Sequence, residues 1–352
     1  MRAMLLAAGE GIRLRPLTHL RAKAALPVLN IPLIHYTLQY LLGFGIKEVV
    51  INLHHLPHSI KEAVSKGGME VRYSSEEELL GTAGGMKRVE DFLSGDDFLV
   101  LNGDILTDYD LKQLISLHQK HRPLATMLLR PNPDPARYTT IEVDPGGRIL
   151  RIGDQRGREV PGSQPPYMFT GIQMLSPETL SFIPQGSYAE LVRDVYRPLL
   201  QKKLPIYGLI MEDFWLELGT PREYLEANLL LLKRGAVRRD FWSRVTPLGE
   251  AAPQLSPLLG EMVTLQKGLL FEGGVVIGDR GFIGRNCRIK DSLLWEDCSI
   301  GEGSILDGSI LTAGVELPPG SLVQNHIVIA RGRGIDLPKG EPIGENLIFP
   351  YA

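Results

Sequence analysis

The chain has 352 residues, with 38 Lys+Arg against 41 Asp+Glu for a net charge of −3, and 43% of its residues are hydrophobic and 22% charged. This length suggests two domains and this composition a globular protein with a large core. The even charge balance excludes the electrostatic footprint of a nucleic-acid binder, and no stretch approaches the roughly 20 apolar residues needed to cross a bilayer. The first apolar run, near Met4–Ala8, is too short for a secretory leader. With only two cysteines, Cys287 and Cys298, a disulfide framework is not expected and a cytoplasmic location is.

The first part of the chain alternates apolar runs with helical patterns. Arg2–Ala7 reads as a buried strand, and Ile34, Leu38, Leu41 and Leu42 fall on one helix face that ends at Gly43 and Gly45. Glu48–Asn52 and Phe98–Asn102 read as further strands, and Leu111–His121, Tyr188–Gln201 and Arg222–Lys233 as helices. Such alternation implies a mixed, mostly parallel α/β sheet of Rossmann-like type with helices on both faces.

Beyond residue 269 the helical patterns give way to a repeat. Ile277, Ile283 and Ile289 are six apart, and so are Leu294, Ile300 and Leu306, and then Leu311, Leu317 and Val323, with each triplet 17 residues after the last. A period of six with glycines after the aliphatics (Gly278, Gly284, Gly301) is the pattern of a hexapeptide β-helix. One aliphatic per face points inward, so Ile283, Ile300 and Leu317 should stack. The expected organisation is a domain over 1–234, a proline-bearing linker over 235–268, the repeat over 269–330 and a tail over 331–352. Cys287 and Cys298 should be small packing residues on the coils, and Trp242 and Trp295 interface anchors.

The segment Leu5–Thr18 carries the most chemistry. A strand runs into Ala8, Gly9 and Gly11, whose missing side chains let backbone N–H groups approach phosphate. Arg13 adds a forked set of donors, and Lys23 a compact positive charge ten residues on. Leu101-Asn102-Gly103-Asp104 ends a strand on a carboxylate, where open α/β sheets bind ligands. His54, His55 and His58 have no companion carboxylate cluster and read as a polar loop lip.

The string Ala-Ala-Gly-x-Gly-x-Arg-Leu-x-Pro-Leu-Thr, followed by Lys23 and Leu26-Pro27-Val28, resembles the signature of the nucleoside-diphosphate-sugar pyrophosphorylases, the sugar-1-phosphate nucleotidyltransferases. Glu78–Gly85 looks like that family's base-recognition loop, Phe169–Ile172 its sugar-pocket strand, and Phe214–Pro221 its second metal motif. The resemblance spans about residues 1–232, and the repeat resembles the left-handed parallel β-helix tail of mannose-1-phosphate guanylyltransferase-like subfamilies. It implies a nucleoside triphosphate (GTP, UTP or dTTP) and a hexose 1-phosphate as substrates, with GTP and mannose 1-phosphate the first expectation. It assigns Arg13, Lys23 and Asp104 to catalysis and Ala8, Gly9, Gly11, Arg13, Gly81 and Thr82 to the nucleotide. Asp154, Thr170 and Gly171 fall to the sugar, and Asp104 with Glu217 to Mg²⁺. A short β-helix with flat faces and an open coil end further suggests a homo-oligomer.

Three positions and one segment depart from the family pattern. Ile12 stands where Thr or Ser is usual, Ala22 where proline is, and Glu217 where Asp is. The family's Glu-Lys-Pro segment is missing, which leaves Asp154 for the sugar hydroxyls and Arg151, Arg156 or Arg158 for the sugar phosphate. Three other functions compete. A nucleotide-sugar-binding homologue without turnover would bind substrates and release no pyrophosphate. An acyltransferase would need a catalytic histidine beside the coils, where only His326 stands. A Rossmann dehydrogenase would need the third glycine that this loop lacks.

Overall fold

A computed structural model describes residues 1–64, 69–153, 166–234, 257–331 and 337–351. The described residues gather into two compact units. One contains Met1–Glu10 and Tyr36–Glu217, and the other Gly11–His35 and Leu218–Ala352.

The first unit is built on a nine-stranded sheet. Its main path runs Ile149–Ile152, Ile141–Val143, Tyr167–Leu175, Phe98–Asn102, Arg2–Leu6, Glu48–Leu53, Glu70–Ser75. Arg2–Leu6 pairs in parallel with both Glu48–Leu53 and Phe98–Asn102, so Leu6 lies beside Asn52 and Asn102. Glu48–Leu53 pairs in parallel with Glu70–Ser75. Strand Tyr167–Leu175 runs antiparallel to its neighbours, which makes the sheet mixed. Central strands of this kind are buried on both faces, hence the unbroken apolar runs Ala3-Met4-Leu5 and Phe98-Leu99-Val100-Leu101. The helix expected around Ile34–Leu42 spans Leu33–Gly43, and the one at Leu111–His121 forms with those bounds, capped by Asp110 accepting from Lys112 N.

The expected helix over Tyr188–Gln201 starts later and is wound differently. A π-helical turn covers Leu191–Tyr196 and an α-helix Arg197–Gln201. Ser187–Glu190 is drawn away instead: Ala189 O accepts from Ala83 N and Gly84 N, and Ala189 N donates to Leu80 O. These bonds satisfy N-terminal amides of the helix Gly81–Arg88, so the tertiary contact overrides local helix preference.

His118 is 1% exposed, and its Nδ1 lies 2.8 Å from Thr126 Oγ1. Burial lowers its pKa below the ordinary 6.5, partly opposed by Asp97. The unfolded chain therefore takes up this proton more readily, so the contribution of His118 is present above pH 6.5 and lost as the pH falls through the lowered value. Thermal unfolding between pH 7 and 5 should show a falling midpoint, with a shallower fall in His118→Gln.

The second unit contains the β-helix. Ile283, Ile300 and Leu317 stack through parallel pairing, as do Ile289, Leu306 and Val323, and Ile277, Leu294 and Leu311. All nine are buried, as the six-residue period requires. Parallel pairing with the first coil also takes in Leu258–Leu259 and Thr264–Leu265. At the other end of the sheet Asn346–Pro350 pairs antiparallel with His326–Ala330, and Glu341–Ile343 pairs antiparallel with Asn346–Pro350. Cys287 and Cys298 form no disulfide and are buried among the coil residues. The helix Pro221–Arg234 packs on this unit at Gly274, where a Cβ would lie 2.6 Å from Leu229 Cδ2. No helix among the described residues is long and apolar enough to cross a membrane.

Candidate functional site

Parallel pairing brings the carboxyl ends of four strands to one edge of the first unit's sheet. Asn52 and Asn102 lie at those ends, and Ala7–Gly9, Glu76 and Gly103–Asp104 follow them. Asn52 Oδ1 accepts from Ala7 N at 2.7 Å, and Asn52 Nδ2 donates to Glu76 Oε1 at 2.8 Å. Glu76 Oε2 accepts from Leu80 N at 3.0 Å, and Gly103 N donates to Leu6 O at 2.9 Å. A chain of bonds thus ties the glycine loop after the first strand to the loop before Gly81. Asn52 and Glu76 are 3% and 5% exposed, and each is hydrogen-bonded as buried polar groups must be. A Cβ at Gly85 would come 2.8 Å from Glu76 Oε1, so the glycine there makes room for the carboxylate. Neither Asn52 nor Glu76 stood out in the sequence, because they become neighbours only through strand pairing. His54 joins the same edge, its Nδ1 2.9 Å from Glu76 O.

Gly9 is exposed, and a Cβ on it would meet nothing within 4 Å. Packing does not demand glycine there, which leaves its backbone accessible. Gly81 differs: its φ is +73° and a Cβ would lie 2.6 Å from Ala189 O, so the fold itself requires it. Thr82 Oγ1 donates to Glu190 Oε2 at 2.7 Å and accepts from Leu191 N at 2.9 Å. Thr170 is buried, its hydroxyl donates to Leu128 O, and its own carbonyl accepts from Trp215 Nε1 at 2.8 Å. Gly171 has φ +86° at an irregularity in strand pairing, and a Cβ would come 2.8 Å from Asn102 Nδ2. Asp154, Arg156, Arg158 and Trp242 lie outside the described residues, and Arg151 is ion-paired to Glu142.

Asp104 and Glu217 are brought together. Trp215–Glu217 pairs antiparallel with Ile105–Thr107, and Glu217 lies opposite Ile105, the residue after Asp104. Glu217 Oε2 also accepts from Tyr138 Oη at 3.2 Å, and Arg137 Nη2 is 3.9 Å away. Arg130 lies over the Trp215 ring, 5.0 Å from its centre, and burial lowers its pKa. Among the described residues no cluster of three or more His, Cys, Asp or Glu forms a closed metal cage. Two carboxylates, Glu217 on one strand and Asp104 just before the strand paired with it, fit Mg²⁺ nonetheless, since Mg²⁺ takes oxygen ligands, keeps waters and leans on substrate phosphates.

Arg13 and Lys23 belong to the second unit. Gly11 has φ +62°, Thr18 Oγ1 donates to its carbonyl at 2.9 Å, and a Cβ there would sit 2.8 Å from Thr18 Cγ2 and 3.5 Å from Lys23 Cβ. The left-handed turn thereby folds the loop back toward Lys23. Three short 3₁₀ turns follow one another, Ile12–Leu14, Leu17–His19 and Lys23–Ala25. Leu14, Leu17, Ala22 and Leu26 are fully buried and pin the segment, while Ile12 and Arg13 are exposed.

A family model described as Nucleotidyl transferase matches residues 2–234. The chain is 29% identical over 348 residues to a UTP–glucose-1-phosphate uridylyltransferase of Synechocystis sp., covering 94% of this chain and 88% of the relative. It is 27% identical over 314 residues to a mannose-1-phosphate guanylyltransferase of Mycobacterium tuberculosis, covering 87% and 82%. A solved Bacillus anthracis structure, assigned to glucose-1-phosphate thymidylyltransferase and in complex with a sucrose, matches with a TM-score of 0.57 at 24% identity. That match covers 65% of this chain and 94% of the other and is a likeness of fold.

Proposed function

Since the chain belongs to the nucleotidyl transferase family and is a sugar-1-phosphate nucleotidyltransferase, we propose that it joins GTP to mannose 1-phosphate at the strand-end edge that carries Asp104 and Glu217. The observation that carries this site is the antiparallel pairing that sets Glu217 opposite Ile105. Several relatives named as mannose-1-phosphate guanylyltransferases align along 87% to 94% of this chain, the β-helix included, which supports the mannose reading. Transfer of a uridylyl or thymidylyl group to glucose 1-phosphate is the second reading, favoured by the 29% identity to the Synechocystis enzyme.

In this reading a phosphate oxygen of the sugar 1-phosphate attacks the α-phosphorus of the triphosphate. The new P–O bond forms as the bond from the α-phosphorus to the bridging oxygen breaks, and pyrophosphate leaves with that electron pair. The enzyme contributes no nucleophile, so its task is to position groups and neutralise charge. The exposed Arg13 fork binds the leaving β- and γ-phosphates, and Lys23 offsets charge at the reacting phosphates. The Ala8–Gly11 backbone approaches the phosphates, and the helix start at Gly81–Thr82 faces the base. Thr170 and Gly171 shape the sugar side through their backbone, and Asp154 is assigned to the sugar hydroxyls. Asp104 and Glu217 would hold Mg²⁺, which would screen the repulsion between phosphate oxygens.

The test is a matrix of GTP, UTP, dTTP, CTP and ATP against mannose, glucose and galactose 1-phosphates, read by pyrophosphate release. GTP with mannose 1-phosphate should have the highest kcat/KM. A maximum at UTP or dTTP with glucose 1-phosphate would select the second reading. Binding of substrates with no release under any combination would refute both.

A further inference from the structure

We infer that Arg21, Trp295 and Glu296 are positioning residues for the reaction: a β-helix turn holds the segment that carries Arg13 and Lys23 in its working place. The inference rests on the reading that this segment binds the triphosphate.

The segment cannot hold itself. Its backbone consists of three 3₁₀ turns of three residues each and a two-residue strand pair, Pro27–Val28 with Ile31–Pro32. Such short turns make few and poorly aligned hydrogen bonds, so their position is set by what they pack on. Within the second unit, Arg21 and Asn30 contact coils of the β-helix, and Pro27 and Leu29 contact the helix Pro221–Arg234. Arg21, two residues before Lys23, lays its guanidinium over the Trp295 ring, 5.0 Å from the centre, and is ion-paired with Glu296. Trp295 Nε1 donates to Tyr224 Oη at 3.1 Å, and Tyr224 Oη donates to Pro27 O, four residues after Lys23. Asn228 Oδ1 accepts from Leu29 N at 2.8 Å, and Asn30 Nδ2 donates to Ile277 O at 2.9 Å. The chain is thus gripped on both sides of Lys23.

Trp295 is 3% exposed, and both charged side chains keep only about a quarter of their surface in solvent. A guanidinium stacked on an indole face and paired with a carboxylate at such a site is held far better than an exposed ion pair. Pairing with Glu296 neutralises the Arg21 charge, so Arg21 latches the loop instead of serving as a phosphate ligand. Oriented groups lose rate when displaced by even one ångström, so a latch outside the site has kinetic leverage. The repeat is thereby part of the catalytic apparatus of its own chain.

The full-length protein is assayed by pyrophosphate release with whichever of GTP, UTP and dTTP the wild type turns over, alongside thermal midpoints. Arg21→Ala and Glu296→Gln should each raise KM for the triphosphate about tenfold, with kcat falling less and the sugar phosphate KM unchanged. Arg21→Lys should restore part of the loss, and Arg21→Ala combined with Glu296→Gln should be no worse than Arg21→Ala alone. Glu296→Gln preserves shape at a partly exposed site, so it keeps the test open if an Arg21 variant fails to fold. Arg13→Ala is run as the reference. If Arg13→Ala also leaves KM unchanged, the triphosphate reading of the segment fails. If Arg13→Ala raises KM while Glu296→Gln and Arg21→Ala do not, the latch alone is refuted. A lower KM in Glu296→Gln would overturn it as well, since a released Arg21 would then be acting as a phosphate ligand.

Discussion

Asp104→Asn should lower kcat about a thousandfold at saturating Mg²⁺ while the protein stays folded, a loss of the size found when one charge-stabilising group is removed from a preorganised site. The exchange keeps the side chain's shape and its place between Gly103 and the strand Ile105–Thr107, and it removes one negative charge. Glu217, opposite Ile105, retains its carboxylate but is shared with Tyr138 and Arg137. One remaining carboxylate is a poor anchor for a hard divalent cation that must also meet substrate phosphates. The Mg²⁺ concentration for half-maximal rate should rise, with Glu217→Gln showing the same trend more weakly because of that sharing. Pyrophosphate release and a Mg²⁺ titration of both variants check this. A variant of Asp104 that keeps a tenth or more of wild-type kcat at ordinary Mg²⁺ would remove the carboxylate from the metal site.

Ile300→Ala should destabilise the β-helix unit by about 3–4 kcal/mol, the range for deleting a fully buried branched side chain whose surroundings cannot collapse. Ile300 is the middle member of the inward stack Ile283, Ile300, Leu317, with its neighbours fixed by the parallel ladder above and below. Its side chain is fully buried. Gly301, the next residue, leaves only 2.3 Å between a hypothetical Cβ and Pro319 N, so the coils are in backbone contact and cannot close on a cavity. Ile300→Val removes a single methylene and should cost about 1 kcal/mol. Urea unfolding followed by circular dichroism measures both. A cost below about 1 kcal/mol for the alanine variant would show that the stack tolerates a void, against the close packing of protein interiors.

Much of this molecule was legible in the sequence, and the reasons are local. The strand Phe98–Asn102 and the helix Leu111–His121 form with the expected bounds because apolar periodicity and a capping aspartate are properties of neighbouring residues. The nine-position repeat was legible because each coil faces its own copy 17 residues on, so a tertiary contact is written as a period. The ordered motifs that place the chain among nucleotidyl transferases were also legible, since each is a short string. The helix that the pattern predicts over Tyr188–Gln201 starts only at Leu191, because Ala189 O accepts from two amides more than a hundred residues away. Asn52 and Glu76 left no mark on the sequence for the same reason: a strand-end network is assembled from residues that are ordinary where they stand.

By itself, then, the sequence determined the kinds of element, the stacking of the repeat and the reaction class. Tertiary structure alone decided which of them meet. Antiparallel pairing, a register choice made between strands about 110 residues apart, put Glu217 beside Asp104. Packing on Trp295 and Glu296 gave the Gly11–His35 segment to the unit that holds the β-helix. Both follow from one physical fact: periodicity and propensity act over a few residues, whereas hydrogen-bond registry and side-chain burial are settled only when distant segments compete for the same surface.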